Sequence, residues 1–280
     1  MTVDLEKYWA SRSEEISQKM TLMSDLFMRN VLRDRRCVEH VLRVLLKDDT
    51  IKIRTVLTQE DMCNLWGRSL WPDILAIDQN GVVYNLEVQN DPAGAIPERA
   101  RYHGSMIDTK ILLPGEDFSN MRKLYVIFIV KGDVFGGGCQ AYTVQKNIKQ
   151  MGIVFQVKFD IMWLDTNHQD ETDIGRLCHD FTVSNPEDVY DEILREKMQA
   201  LKVIREGGSV MCRMVDDLLH EVEETTRLIE HEKAFAEGHT EGRTEEKLEM
   251  VRKLRQEGLS DELIARVSSS SVEQVREWCR

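Results

Sequence analysis

The chain contains no Cys-x-x-Cys pair: Cys37, Cys63, Cys139, Cys178, Cys212 and Cys279 are scattered over 280 residues, and the seven histidines are equally dispersed. Neither a zinc site nor a disulfide framework finds its ligand spacing, and reduced thiols suit the cytoplasm. No apolar run approaches the ~20 residues needed to cross a bilayer. Residues 1–10 also lack the basic and apolar segments of a secretory signal. The expectation is a cytoplasmic protein without a membrane partner. Positive charge is short as well: the formal net charge is -12, awkward for a protein that must neutralise phosphates at physiological salt. Part of that excess is local, because Glu221, Glu223, Glu224, Glu230, Glu232 and Glu237 crowd one stretch. Two basic clusters remain, Arg29, Arg33, Arg35, Arg36 and Arg43, then Arg99, Arg101 and Lys110. Each is either a phosphate-binding patch or a solvated helix face.

What the chain does have is a globular composition, 42% hydrophobic and 31% charged. One large domain with a smaller appendage is the natural reading at this length. Its centre is the run 71–90. Trp71 to Asp78 and Val82 to Asn90 are short and rich in β-branched and aromatic residues, and Asn80-Gly81 lies between them. This is a β-hairpin pattern. On the return arm Val82, Tyr84, Leu86 and Val88 share an apolar face, and Val83, Asn85, Glu87 and Gln89 share the face expected to carry chemistry.

The turn decides which residues meet. A two-residue Asn80-Gly81 loop would set Asp73 opposite Val88 and point it away from Glu87. Asp78-Gln79-Asn80-Gly81 also suits a type I turn closed by a left-handed glycine, and that three-residue loop sets Asp73 opposite Glu87. Two carboxylates on one face of adjacent strands, with Cβ atoms about 5 Å apart, repel unless a cation lies between them. A hard divalent ion such as Mg²⁺ fits an all-oxygen pair.

Pro72-Asp73, the hairpin and Glu87-Val88-Gln89 resemble the core motif of the PD-(D/E)XK nucleases, in the variant where Gln replaces the usual Lys. Three further stretches are similar to the recombination-promoting nuclease/putative transposase branch: Arg99 to Asp108, Leu124 to Ile129, and Asp133 to Gly138. The resemblance implies an α/β fold, a restriction-endonuclease-like mixed sheet flanked by helices, and a metal-dependent DNA endonuclease. It implies that Asp73 and Glu87, with the Val88 carbonyl, hold Mg²⁺, and that Gln89 joins them in catalysis. Arg99, Arg101 and Tyr102 would bind substrate, with Arg101 neutralising phosphate or anchoring the carboxylates, and Asp25 would be an additional acid. Gln89 departs from the Lys pattern: a neutral amide can orient water but cannot supply positive charge. The competing expectation is a non-catalytic DNA-binding or self-associating protein that keeps the nuclease fold.

Three regions are expected: a helical lead-in over 1–20, the nuclease-like domain over 21–206, and a helical tail over 207–280. Two amphipathic helices should flank Arg33-Asp34-Arg35-Arg36, and a helix should run from Glu98 to about Leu112 behind Pro97. Strand character marks Ile51 to Leu57, Leu124 to Val130, Gln140 to Val144 and Ile153 to Leu164. In the last of these Phe155, Val157, Phe159, Ile161 and Trp163 should face the core. Gly136-Gly137-Gly138 reads as a flexible turn, since no phosphate-loop spacing surrounds it. In the tail, Met211 to Ala236 suits a coiled-coil arm, and Ser270 to Glu273 resembles a capping box opening the last helix of a helix-turn-helix-like end. Self-association through these C-terminal helices is the expected oligomer contact.

Overall fold

The computed structural model describes residues 5–58, 62, 68–203, 209–215, 217–219, 226, 250–253, 255 and 260–278. Two compact units divide after residue 216. The first begins with α1 (Leu5–Lys19), α2 (Asp25–Leu32) and α3 (Arg35–Leu46). Asp34 starts α3 by accepting the Arg36 N–H at 3.0 Å, and Lys47, left-handed at φ 52°, ends it. Phe27, Met28 and Val31 on α2 and Val38, Val41 and Leu42 on α3 have no solvent exposure, which is the apolar stripe the helical spacing requires.

The sheet has β1 (Ile53–Thr58), β2 (Ile74–Asp78), β3 (Val83–Gln89), β4 (Leu124–Val130), β5 (Ala141–Thr143) and β8 (Phe159–Asp165), in the order β1-β2-β3-β4-β8-β5. β1 and β2 pair antiparallel, as do β2 and β3; β3, β4 and β8 run parallel, and β5 pairs antiparallel with β8. The molecule is thus α/β, with a six-stranded mixed sheet flanked by helices. Helix α4 (Pro97–Ile111) crosses from β3 to β4, and its Ala100, Met106 and Ile107 share a core cluster with Val83, Val126, Phe128 and Trp163. α5 (Asp173–Thr182) and α6 (Glu192–Lys202) both contact α3. The parallel strands are buried on both faces, so Leu124 to Val130 is an unbroken apolar run.

The expected strand over 153–164 is divided. β6 (Asn147–Ile148) and β7 (Ile153–Val154) form a small separate hairpin, and only the part from Phe159 joins the main sheet. Phe155 is 51% exposed, whereas Ile161 and Trp163 are buried as expected. Alternation alone could not show that the chain turns away between β7 and β8, where Lys158 adopts a left-handed φ of 50°. The glycine run is a tight, tied turn: Asp133 accepts the N–H groups of Phe135, Gly136 and Gly138 and the Tyr142 hydroxyl proton.

The domain limits also shift. The lead-in helix α1 packs within the first unit: Ser17 Oγ lies 3.0 Å from Cys212 Sγ, and the Lys202 ammonium donates to the carbonyls of Gln18, Met20 and Ser184. Ser209, Met211 and Val215 are buried within the first unit, so it runs past Gly207. In the second unit α7 (Asp261–Ser268) and α8 (Val272–Trp278) pack Ile264, Ala265 and Val275 with Val251. The capping box lies one residue later than expected: Ser271 Oγ accepts the Gln274 N–H at 3.1 Å, and Gln274 Oε1 accepts the Ser271 N–H at 3.0 Å. The coiled-coil arm expected over 211–236 lies outside the described residues from 220 onward, apart from 226.

The β2–β3 turn is the three-residue one. Ile77 pairs with Val83 and Ile74 with Leu86; Asp78 N–H donates to the Val82 carbonyl, and Gly81 sits at φ 79°. A Cβ at position 81 would meet nothing within 4 Å, so the cost of adding one comes from the left-handed backbone. Gly81→Val is expected to lose about 1–2 kcal/mol in urea unfolding, with Gly81→Asn losing clearly less. Equal stability of all three proteins would mean the turn does not need its left-handed residue.

Candidate active site

Continuing the β2–β3 register by one residue sets Asp73 against Glu87. Asp73 N–H donates to Glu87 Oε1 at 3.2 Å, and Val88 N–H donates to Asp73 Oδ2 at 2.9 Å. One step further Pro72 faces Val88, and proline has no N–H to offer the Val88 carbonyl. The strand pairing ends at Ile74 and Leu86, and the two carboxylates lie just beyond it.

The face bearing Asn85, Glu87 and Gln89 is covered by α4. Glu87 is fully buried, and its oxygens are engaged: Oε1 accepts from Asn85 Nδ2 at 2.8 Å, and Oε2 accepts from Arg99 Nη2 at 3.4 Å. Arg99 Nη1 donates to Gln89 Oε1 at 3.1 Å and to the Gly94 carbonyl at 2.8 Å. Its Nε donates to His103 Nε2 at 3.3 Å, while His103 Nδ1 lies 3.1 Å from Asn85 Oδ1. The buried ring thus links Arg99 to Asn85, and its Nδ1 also lies 3.4 Å from Glu87 Oε1. Gly94 belongs to this packing: a Cβ there would lie 2.6 Å from Gln89 Oε1.

Asp73 is the strained member. Burial first, and then the facing Glu87 charge, push its carboxyl up to about 7, against the opposing pull of Arg29 and Arg99. Arg29 forms an ion pair with Asp25 on α2, and burial lowers its own pKa while Asp73 raises it. Asp25 is therefore joined to the carboxylate pair through Arg29, and Asn90 Nδ2 donates to the Met23 carbonyl at 2.9 Å, tying the end of β3 to the start of α2.

Not every expected site residue is here. Arg101 is exposed on the far side of α4, and Arg99 anchors Glu87 instead, because residues 99 and 103 share a helix face that 101 cannot. Tyr102 turns aside to donate its hydroxyl to the Arg68 carbonyl. In the first basic cluster Arg36 pairs with Asp34 and Glu196, and Arg43 with Glu39. Asn85 and His103 had no assigned role in the sequence. Their signals are a polar residue two before Glu87 on a buried strand and a histidine four after Arg99 on a helix.

The donor set suits a hard cation. Burial and the facing Glu87 charge both favour a proton on Asp73, a penalty that a bound cation would relieve, and Pro72 has no N–H to pair the Val88 carbonyl. Among the described residues no three His, Cys, Asp or Glu side chains are grouped to hold a metal ion, so an ion here would rely on two carboxylates and that carbonyl. No family model, curated protein or solved structure matches the chain.

Proposed function

We propose that the chain is a metal-dependent DNA endonuclease, with a restriction-endonuclease-like arrangement of its sheet, that hydrolyses phosphodiesters at Asp73 and Glu87. The observation that carries this reading is the meeting of two carboxylates just beyond the end of the β2–β3 ladder, with one of them made unusually proton-avid. Asp73, Glu87 and the Val88 carbonyl would hold Mg²⁺, which when bound supplies charge to the phosphate and acidity to a water. Arg99 balances Glu87 and provides the positive charge that Gln89 lacks. Gln89, its oxygen fixed by Arg99, keeps its NH₂ as a donor for orienting water or a phosphate oxygen. Asp73 must give up its proton to bind a cation, so affinity for Mg²⁺ rises with pH toward and through neutrality.

A second reading, in which the cluster serves only the fold, is favoured by Glu87 finding donors in Asn85, Arg99 and the Asp73 N–H without any ion. Plasmid nicking separates the two. The wild type is expected to nick supercoiled DNA with Mg²⁺ and not with EDTA, and Asp73→Ala to reduce the rate by at least about 100-fold. A wild type that neither nicks DNA nor binds Mg²⁺ leaves the structural reading standing.

A further inference from the structure

The end of the sheet remote from the carboxylates carries a second concentration of chemistry. Val83, Leu124 and Phe159 are neighbours across the strands, as are Glu87, Phe128 and Trp163. Four residues of strand, about 13 Å, separate the two rows. Beyond the first row Arg54, Arg122, Lys123 and Lys158 line an opening of about 540 Å³ beside the β2–β3 turn. Lys123 and Lys158 also line an adjoining space of about 750 Å³, whose walls add Lys146, Tyr125, Phe155 and Phe159. Two shared lysines join these spaces into one groove.

Charge in the groove is lopsided. Asp160 pairs with Lys123, and Lys158 Nζ donates to the carbonyls of Ser119 and Met121 at 2.9 and 3.1 Å. Lys146 lies 5.1 Å from the centre of the Phe159 ring. Among the described residues no carboxylate pairs with Arg54, Arg122 or Lys146, and Arg35 brings a further guanidinium by donating to the Arg54 carbonyl at 3.4 Å. Such a concentration of cations in a chain of net charge -12 is stable only in solvent or against a polyanion. Phe155 stands beside them 51% exposed, held by its N–H to the Lys146 carbonyl at 2.7 Å.

The geometry points to a groove for single-stranded nucleic acid, its backbone on Arg54, Arg122 and Lys158 and an unpaired base stacked on Phe155. A basic track with an accessible ring is the combination that holds a strand irrespective of sequence. A duplex keeps its base faces hidden, and an acidic peptide would use the cations while gaining little from the ring. The groove does not depend on hydrolysis at Asp73 and Glu87, so the two readings stand or fall separately.

The test is fluorescence anisotropy of a labelled dT oligonucleotide of about 12 nucleotides with the full chain. Binding is expected to weaken steeply with salt. Arg54→Glu combined with Arg122→Glu should cut affinity at least about 10-fold and flatten the salt dependence. Phe155→Ala should cut it about 5-fold or more, with Phe155→Trp restoring it. An unfolded variant is recognised by its circular dichroism, and Arg54→Gln with Arg122→Gln then replaces the charge reversal. A wild type that does not bind the oligonucleotide at low salt overturns the proposal, as do charge variants that bind unchanged. So does Phe155→Ala without effect, above all if a duplex or polyglutamate competes as well as the single strand.

Discussion

Asp73→Asn is expected to make the metal-free protein more stable at pH 8, a reversal of what removing an active charge usually does to a fold. The folded carboxyl titrates near 7 whereas the free side chain titrates near 3.8. Between those values the folded state holds a proton that the unfolded chain has released. The unfolded state binds fewer protons there, so stability falls as pH rises through the window: the contribution is fully present below about 4 and lost above about 7. The whole shift corresponds to about 4 kcal/mol, and solvent reaching this half-buried carboxyl reduces it to about 2 kcal/mol. Asparagine stays neutral throughout, and its Oδ1 can still accept the Val88 N–H. Urea unfolding of both proteins in EDTA from pH 4 to 8 should show their difference growing by about that amount in favour of the variant. Millimolar Mg²⁺ should then close the gap at pH 8 by stabilising the wild type alone. A difference that stays flat with pH would show that neither burial nor the facing Glu87 raises the Asp73 carboxyl in the folded state.

Glu87→Ala should act in the opposite direction. Its carboxylate, fully buried, is where Asn85, Arg99 and the Asp73 N–H converge. Truncation leaves a guanidinium and two polar donors facing a void, at a cost of about 3–5 kcal/mol. The proposed hydrolysis would be lost as well. Glu87→Gln keeps the shape and one acceptor oxygen, so it should retain most of the stability while failing to support cleavage. The two variants thus separate two roles within one carboxylate pair: Asp73 is held at the expense of the fold, and Glu87 holds the fold together. Should Glu87→Ala unfold at the wild-type urea midpoint, the network around it contributes little and Arg99 must have another partner.

These roles were not visible in the sequence, although the hairpin was. Asp78 and Gly81 suited a three-residue loop with a left-handed closing residue, and that local backbone rule sets the register and hence the pairing of Asp73 with Glu87. Helices α2, α3 and α4 and strand β4 were likewise legible, because Pro97 and the apolar periodicities act within a few residues of chain. Local rules ended where contacts became distant. Whether Arg99 or Arg101 meets the carboxylates depends on which face α4 turns to the sheet. That is decided by Ala100, Met106 and Ile107 packing against strands far away in sequence. The inclusion of Asn85 and His103 follows from the same burial, which gives polar side chains partners only from one another. The basic groove is assembled from β1, the approach to β4 and the segment before β8, whose cations are spread from Arg54 to Lys158 along the chain. Composition recorded a strongly acidic protein; only the folded sheet brings its scattered lysines and arginines to one end.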